Sequence, residues 1–84
     1  MDISMADLKK ILEDIAKSIV DAPEAVEVIE EAGEEEDEVL LTLHVAPEDM
    51  GKVIGKQGRI ARAIRLVLRA AAAASDRRVD VEIR

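Results

Sequence analysis

The chain has 84 residues, the length of one small domain, which leaves no room for a cofactor domain beside a second domain. Apolar residues make up 49% and charged residues 37%, a composition typical of folded rather than disordered proteins. The lack of cysteine excludes disulfides, thiolate metal sites and a cysteine nucleophile. The lack of Phe, Tyr and Trp excludes modules that stack bases on aromatic rings.

The net charge of −7 is divided unevenly along the chain. Residues 1–50 carry 3 basic and 16 acidic side chains, whereas residues 51–84 carry 9 basic and 3 acidic ones. This asymmetry indicates that the C-terminal part meets an anion, with charge balance between packed elements as the simpler alternative. No apolar run is long enough to span a membrane and no signal peptide is evident, so we expect a cytoplasmic protein without a membrane partner.

The first predicted element is an amphipathic helix from residue 5 to about residue 20. Apolar side chains recur there at helical spacing, at Met5, Leu8, Ile11, Leu12, Ile15 and Ile19. Ser4 and Asp7 resemble a capping box at its start. Pro23 ends it, because proline lacks the backbone donor and disfavours a helical residue before it.

Two strands and a hairpin are predicted next. Residues 25–31 alternate well enough for a strand, and residues 39–46 form a stronger one. The second strand places four apolar residues on one face, Val39, Leu41, Leu43 and Val45. Residues 33–38 between the strands are a glycine-led acidic turn, suited to joining antiparallel strands.

The second half of the chain predicts two helices and a last strand. Pro47 opens a short helix that ends near Gly55, and a second helix begins at Gly58 or Arg59 and runs to about Ser75. The apolar positions predicted to be buried in that second helix are Ile60, Ile64, Val67, Leu68 and Ala71. Residues 78–84 alternate apolar and polar side chains and predict the closing strand.

The predicted order is therefore α-β-β-α-α-β, in one domain over residues 1–84. The first two strands form a hairpin, and the third follows a crossover long enough to lie parallel to a neighbour. The fold class is α+β, with a three-stranded mixed sheet packed on helices over one face.

The segment from Gly51 to Ile60 contains three of the four glycines. Its stretch Gly55-Lys56-Gln57-Gly58 lies at the junction of the two helices, where glycine lets the turn lie flat against a sugar-phosphate backbone. The amides that open the next helix then favour an anion. A helix–helix turn that merely needs glycine is the alternative. The spacing and the residue after the lysine do not match a P-loop, and the dinucleotide-binding pattern is absent.

The stretch from Val45 to Ala61, including Val53-Ile54-Gly55-Lys56-Gln57-Gly58, resembles the type II KH (K-homology) domain. More closely, the chain is similar over nearly its whole length to the bacterial KhpA family of small RNA-binding proteins. The resemblance implies a groove for about four unpaired nucleotides, clamped at the glycine loop. It implies binding of single-stranded RNA without a cofactor, in a post-transcriptional regulator or RNA chaperone.

The resemblance also assigns roles to residues. Gly55, Lys56, Gln57 and Gly58 would contact the RNA backbone, and Val53, Ile54 and Ile64 would shape an apolar floor for the bases. Arg59 and Arg62 would extend the positive track beyond the loop, and Lys52 would either join it or simply be exposed. Arg65 and Arg69 lie on the same helical stripe and are assigned to a solvated face.

A partner chain is implied as well. The KhpA family is associated with homodimers and with a KhpB/Jag-type RNA-binding partner, and the alanine-rich stretch from Ala70 to Ala74 permits close contact with a second helix. The alternative function is a natural or designed KH scaffold that serves protein interaction or dimerisation and has lost RNA binding, which the acidic first half favours.

Catalysis finds no support in the sequence. Ser4, Ser18 and Ser75 sit in no nucleophile motif, and the lone His44 has no other ligand at metal-binding spacing. The acidic run from Glu34 to Glu38 lacks the spacing of a calcium loop and is assigned to a solvated hairpin tip. The chain is predicted not to be an enzyme.

Overall fold

A computed structural model describes residues 4–84. Its helices are α1 (Met5–Ile19), α2 (Met50–Ile54) and α3 (Arg59–Ala73), and its strands are β1 (Glu27–Ala32), β2 (Glu38–His44) and β3 (Arg78–Ile83). Short 3₁₀ turns lie at Pro23–Ala25, Pro47–Asp49 and Lys56–Gly58. The predicted order α-β-β-α-α-β is confirmed.

The start of α1 carries the predicted capping box. The Ser4 hydroxyl accepts a hydrogen bond from the Asp7 N–H (3.1 Å), and the Asp7 carboxylate accepts one from the Ser4 N–H (3.0 Å). The bond from the Ser4 N–H, followed by one from its hydroxyl, holds the pKa of Asp7 below its ordinary value. Both donors at the helix start are therefore satisfied, and α1 buries Leu8, Leu12 and Ala16 on its inner face.

The sheet has the order β1-β2-β3, so β2 is the central strand. β1 pairs with β2 antiparallel, with Val28 opposite Leu43. β3 pairs with β2 in parallel, with Val81 opposite Leu41. The predicted mixed sheet is confirmed, because the two helices between β2 and β3 carry the chain back to the same end of the sheet.

The core lies between one face of this sheet and the helices α1 and α3. Alternate residues of the strands reach it, and the predicted inward face of the central strand is confirmed by the burial of Val39, Leu41 and Leu43. The helices contribute mainly leucines and alanines. The core cluster comprises Leu8, Leu12, Ala16, Val28, Val39, Leu41, Leu43, Ile64, Leu68, Ala72, Val79 and Val81.

Two predictions for the core face of α3 were wrong. Ile60 is 38% exposed and Val67 is 49% exposed, although both were expected inside. The buried stripe instead runs along Ala61, Ile64, Leu68 and Ala72. Apolar residues surround most of this helix, so their periodicity alone does not identify the face that is buried. The small alanines on the buried face allow the helix to pack closely on the core.

Within residues 4–84 no helix combines the length and apolar character that crossing a membrane requires.

Candidate nucleic-acid interface

The glycine loop joins α2 to α3 through an abrupt change of backbone direction. α2 ends where Gly55 adopts φ 74° and ψ 173°, and the 3₁₀ turn Lys56–Gly58 leads into α3. Gly58, which precedes the first residue of α3, lies in the left-handed region with φ 75° and ψ 15°. The loop predicted from the glycine spacing is therefore at the junction of two helices.

The two glycines are required for different reasons. A Cβ atom at Gly55 would overlap the Ile60 side chain and lie only 3.0 Å from the Ile60 nitrogen, so this position lacks space as well as a favourable φ. At Gly58 the nearest atom to such a Cβ is Arg62 Nη1 at 3.9 Å, so only the positive φ favours glycine there. The first glycine lets the loop pack down on α3, and the second turns the chain into the helix.

Gln57 also has a positive φ of 56°, which is uncommon for a residue with a side chain. Backbone strain of this kind concentrates at functional sites and persists only where the surroundings impose it. The Gly58 N–H donates to the Gly55 carbonyl (3.1 Å), which closes the loop. Within residues 4–84 the N–H groups of Lys56 and Gln57 have no hydrogen-bond partner, and both side chains are exposed.

The arginines of α3 divide into two groups. Arg59 and Arg62 are exposed beside the loop, and Arg59 Nη2 lies 3.5 Å from Gln57 Oε1. Arg65 is half-buried and its Nε donates to the Val81 carbonyl (3.0 Å), which ties α3 to β3. Arg69, nearer the end of the helix, is exposed. Arg65 therefore has a structural contact rather than the fully solvated place expected for it.

Lys52, a predicted RNA contact, is held by two carboxylates. Its ammonium lies 3.1 Å from Asp21 Oδ2 and 3.5 Å from Asp49 Oδ1. The hydrogen bond and the charge of Asp21, together with those of Asp49, raise the pKa of Lys52 above its ordinary value. An RNA phosphate would have to compete with these carboxylates for the ammonium.

Asp49 is the positioning residue that the sequence analysis missed. It is fully buried and its carboxylate accepts hydrogen bonds from the N–H groups of Asp21 (3.2 Å) and Ala22 (3.0 Å). The segment after α1 is thereby fastened to the start of α2, a few residues before the glycine loop. Burial raises the pKa of Asp49, but these bonds and Lys52 outweigh it and hold the pKa below its ordinary value. From the sequence, a carboxylate soon after Pro47 predicts only a favourable interaction with the start of the helix. No sequence signal indicates that Asp49 binds the backbone of the segment after α1.

The apolar surface beside the loop differs from the predicted floor. Val53 is fully buried and Ile64 nearly so, and both belong to the interior. Ile54 and Ile60 are each 38% exposed on either side of the loop. Of the three predicted floor residues, only Ile54 therefore presents a large surface to a ligand, and Ile60 is the apolar neighbour that was wrongly assigned to the core.

Residues 4–84 contain no group of three or more His, Asp or Glu side chains that could hold a metal ion.

A three-stranded mixed sheet backed by helices, with a glycine-bounded loop between two helices after the central strand, defines a type II KH domain. The chain belongs to the family described as KhpA/KhpB, KH domain, whose family model matches residues 9–83. The predicted membership is confirmed.

Among its relatives, the RNA-binding protein KhpA of Clostridium acetobutylicum is 60% identical over 76 residues, covering 90% of this chain and 99% of the relative. The RNA-binding protein KhpA of Aquifex aeolicus is 48% identical over 79 residues, covering 94% of this chain and 98% of the relative. These proteins are named for binding rather than for catalysis, in agreement with the prediction that the chain is not an enzyme.

A solved structure with a similar fold is that of Era in complex with MgGDPNP and nucleotides 1506–1542 of 16S ribosomal RNA. The TM-score is 0.62 at 17% sequence identity, and the match covers 94% of this chain but 30% of the Era chain. At that identity the likeness concerns the fold alone.

Proposed function

We propose that this chain binds single-stranded RNA as a single KH module over residues 1–84, with the Gly55–Gly58 loop as the clamp on the RNA backbone. The proposal has support from the relatives named RNA-binding protein KhpA, at up to 60% identity over most of the chain. Its role in the cell would be that of a cytoplasmic post-transcriptional regulator or RNA chaperone.

The observation that carries this proposal is the conformation of the loop. Three of its four residues have a positive φ, and the N–H groups of Lys56 and Gln57 are left without a partner in the described chain. Unpaired backbone donors beside an exposed lysine, at the start of a 15-residue helix, suit an anionic oxygen of a sugar-phosphate backbone.

The remaining residues would then act around this clamp. Arg59 and Arg62 would hold the phosphates that follow, and Ile54 and Ile60 would contact the bases. Val53 and Ile64 would support that surface from beneath. Lys52 would contribute least, because Asp21 and Asp49 already neutralise its charge. With so few phosphate contacts, we expect modest affinity and a mild dependence on salt.

The test is fluorescence anisotropy of a labelled pool of short single-stranded RNAs with the Lys56→Asp/Gln57→Asp double variant. We expect the variant to lose detectable binding while its circular dichroism matches that of the original protein. Both side chains are exposed, and aspartate tolerates the left-handed conformation at position 57 better than most residues do.

A matched control separates the loop from the overall charge. The Lys10→Asp/Ser18→Asp variant makes the same change in net charge on the exposed face of α1, and we expect it to bind RNA almost as well as the original protein. Equal affinity of the loop variant and the original protein would show that the clamp lies elsewhere.

A second function, association with another chain, has support from the outer face of α3. Leu66 is 68% exposed and Val67 is 49% exposed, and Ala63 and Ala70 lie beside them on the helix surface. Small residues next to large apolar ones permit close approach of a second helix. We propose a homodimer through this face, with a KhpB/Jag-type protein as the alternative occupant.

A further inference from the structure

One face of the sheet has no covering element within residues 4–84. The core lies on the other face, where α1 and α3 pack on inward side chains such as Val28, Leu41 and Val81. The glycine loop belongs to the same helical layer, since it leads directly into α3. The open face of the sheet is therefore separate from the proposed RNA clamp.

The strand register gives the layout of this open face. Its centre consists of two neighbouring rows of cross-strand partners: Glu31, Leu40 and Asp80 in one row, and Ile29, Thr42 and Glu82 in the next. The outward side chains of the edge strands β1 and β3 are exposed, whereas on β2 Leu40 is half-buried and Thr42 is buried. These two rows form a shallow trough along the central strand, which we call the β2 trough, with walls on β1 and β3.

The walls of the β2 trough are acidic. Glu27 and Glu31 on one side and Asp80 on the other are exposed, and their carboxylates have no ion-pair partner within residues 4–84. The two arginines at the ends of the face are already engaged. Arg78 lies near the carboxylates of Asp37 and Glu38, and Arg84 lies 3.1 Å from that of Glu82. The charge left free on both walls is therefore negative.

The centre of the trough is apolar. Ile29 is 41% exposed, and Leu40 is half-buried between two wall carboxylates. A sheet face that meets only water is normally covered by polar side chains. Charges on an edge strand also prevent pairing with another sheet, but that protection does not require an exposed apolar centre. An apolar centre inside a charged rim is typical of a surface that binds a protein.

The dimensions of the trough suit an α-helix. Neighbouring strands are about 4.8 Å apart, so the walls on β1 and β3 are separated by about 10 Å, close to the diameter of a helix. A helix lying along β2 would place an apolar stripe on Ile29 and Leu40. Lysines and arginines on both sides of that stripe would then face Glu31 and Asp80.

A second copy of this chain fits the trough poorly. Two copies that met through this face would bring their acidic walls together, and like charges repel. If the arginine-bearing α3 of another copy lay in the trough, the contact would be heterologous. Such a contact leaves a free trough at one end of the pair, so it does not close into a dimer. The charge pattern therefore favours a basic segment of a different protein.

We propose that the β2 trough docks a basic amphipathic helix of another protein. This docking goes beyond RNA binding and does not depend on it. Because the trough and the glycine loop lie on opposite sides of the sheet, RNA and the helix bind at the same time. The chain then connects an RNA to a protein partner.

The probe for the test is a fluorescein-labelled synthetic peptide of about 15 residues, which as a helix spans the length of β2. It carries a stripe of leucines flanked on both sides by lysines and arginines. Its scrambled version has the same composition with the leucines dispersed around the helix. We expect the full chain to bind the striped peptide about tenfold more tightly in fluorescence anisotropy. Equal affinities would overturn the proposal, because charge alone would then explain the binding.

Two variants of the protein test the walls and the centre separately. Glu31→Lys/Asp80→Lys reverses both walls and should weaken the striped peptide about tenfold, whereas Glu34→Lys/Glu36→Lys makes the same charge change at the exposed hairpin tip and should weaken it less than about twofold. Ile29→Thr keeps a β-branched side chain on β1 and should weaken the peptide about fivefold. Circular dichroism checks that each variant is folded. Equal losses in the two charge variants, or no loss with Ile29→Thr, would contradict the proposal.

NMR spectroscopy of the isotope-labelled protein locates the peptide. Its addition should shift the amide resonances of the three strands and leave those of the glycine loop unchanged. Shifts concentrated in the loop or in α3, or displacement of the peptide by single-stranded RNA, would place it on the helical side and overturn the proposal. Self-association of the original protein that Glu31→Lys/Asp80→Lys abolishes would identify a second copy as the occupant and also overturn it. A failure of the loop variant to lose RNA binding concerns only the clamp, so the two proposals fail separately.

Discussion

Gly55 and Gly51 are only four residues apart, yet their backbones have different requirements. Gly55 has φ 74° and no space for a Cβ atom, because Ile60 packs against it. Gly51 lies within α2, and no atom lies within 4 Å of the position that its Cβ would occupy. The glycine spacing therefore marks a motif, but only the packing distinguishes a required glycine from a replaceable one.

This contrast leads to a prediction for stability. Gly55→Ala should lower the free energy of unfolding by about 2–5 kcal/mol, through an unfavourable φ together with overpacking against Ile60. Gly51→Ala should leave stability unchanged or raise it by up to about 1 kcal/mol, since alanine restricts the unfolded chain. Urea denaturation followed by circular dichroism measures both. Comparable stabilities for the two variants would contradict the conformation described for the loop.

Gln57 and Lys56 both have exposed side chains, although the backbone of Gln57 is in an uncommon conformation. Gln57 adopts a conformation that glycine would adopt at lower cost, and its side chain remains exposed. Lys56 is exposed beside it and has no acidic partner within residues 4–84. Side chains at these two positions therefore remain available to a ligand, which is why the proposed test changes both of them.

At the scale of the elements, α3 combines three different surfaces on one helix. Its inner stripe of Ala61, Ile64, Leu68 and Ala72 packs into the core. Arg65 joins it to β3 by a hydrogen bond to the Val81 carbonyl. The remaining surface carries exposed arginines on one side and exposed apolar residues on the other. Exposed apolar residues outside the core face of a helix are typical of a surface that binds another molecule.

The apolar outer face of α3 predicts an effect on assembly. Leu66→Glu should convert the proposed dimer to a monomer, because a carboxylate would be buried against the second helix. The free energy of unfolding of the monomer should change by less than about 0.5 kcal/mol, since Leu66 is 68% exposed. Analytical ultracentrifugation gives the oligomeric state, and Lys10→Glu on α1 is the control. A monomeric original protein would rule out the homodimer, and a dimer retained by Leu66→Glu would place its interface on another face.

At the scale of the whole molecule, the fold brings part of the basic C-terminal half next to the acidic hairpin of the N-terminal half. Arg78 lies near Asp37 and Glu38 of the acidic hairpin, and its N–H donates to the Asp37 carbonyl (3.0 Å). The simpler explanation of the asymmetry, charge balance between packed elements, therefore holds at this end of the fold. It does not hold along α3, where Arg62 and Arg69 have no acidic partner among the described residues.

A whole-molecule prediction concerns Asp49, which joins segments 28 residues apart. Its pKa in the folded protein lies below the ordinary value of 3.8. Near and below pH 4 the unfolded state therefore binds the proton more readily, so the stabilisation by this carboxylate is complete above that pH and is lost as the pH falls through the folded-state pKa.

Asp49→Asn should therefore be less stable than the original protein at pH 6, because an amide nitrogen replaces an oxygen that accepts from a backbone N–H. The difference should shrink near pH 2. Urea unfolding at the two pH values checks this, and Asp14→Asn, which alters only an exposed pair with Lys10, is the control. A difference that is constant across this range would show that the Asp49 carboxylate does not supply the pH dependence.

The sequence by itself determined the order of the elements, the mixed sheet and the position of the glycine loop. These features depend on local causes: the Ser4–Asp7 cap, alternation along β2, and glycine at a helix junction. Each acts within a few residues, so periodicity and spacing are sufficient to predict it. The resemblance to the KhpA family followed from the same local stretch and was confirmed.

The tertiary structure decided which residues are available for contact. The sequence predicted Val53 as part of the floor for the bases and Ile60 as part of the core. In the structure Val53 is buried and Ile60 is 38% exposed, because the close approach of Gly55 to Ile60 sets how α2 and α3 pack. Lys52 acquired carboxylate partners from segments that are adjacent only after folding. Exposure and long-range pairing depend on how the helices pack on the sheet, and a single sequence does not contain that geometry in any local pattern.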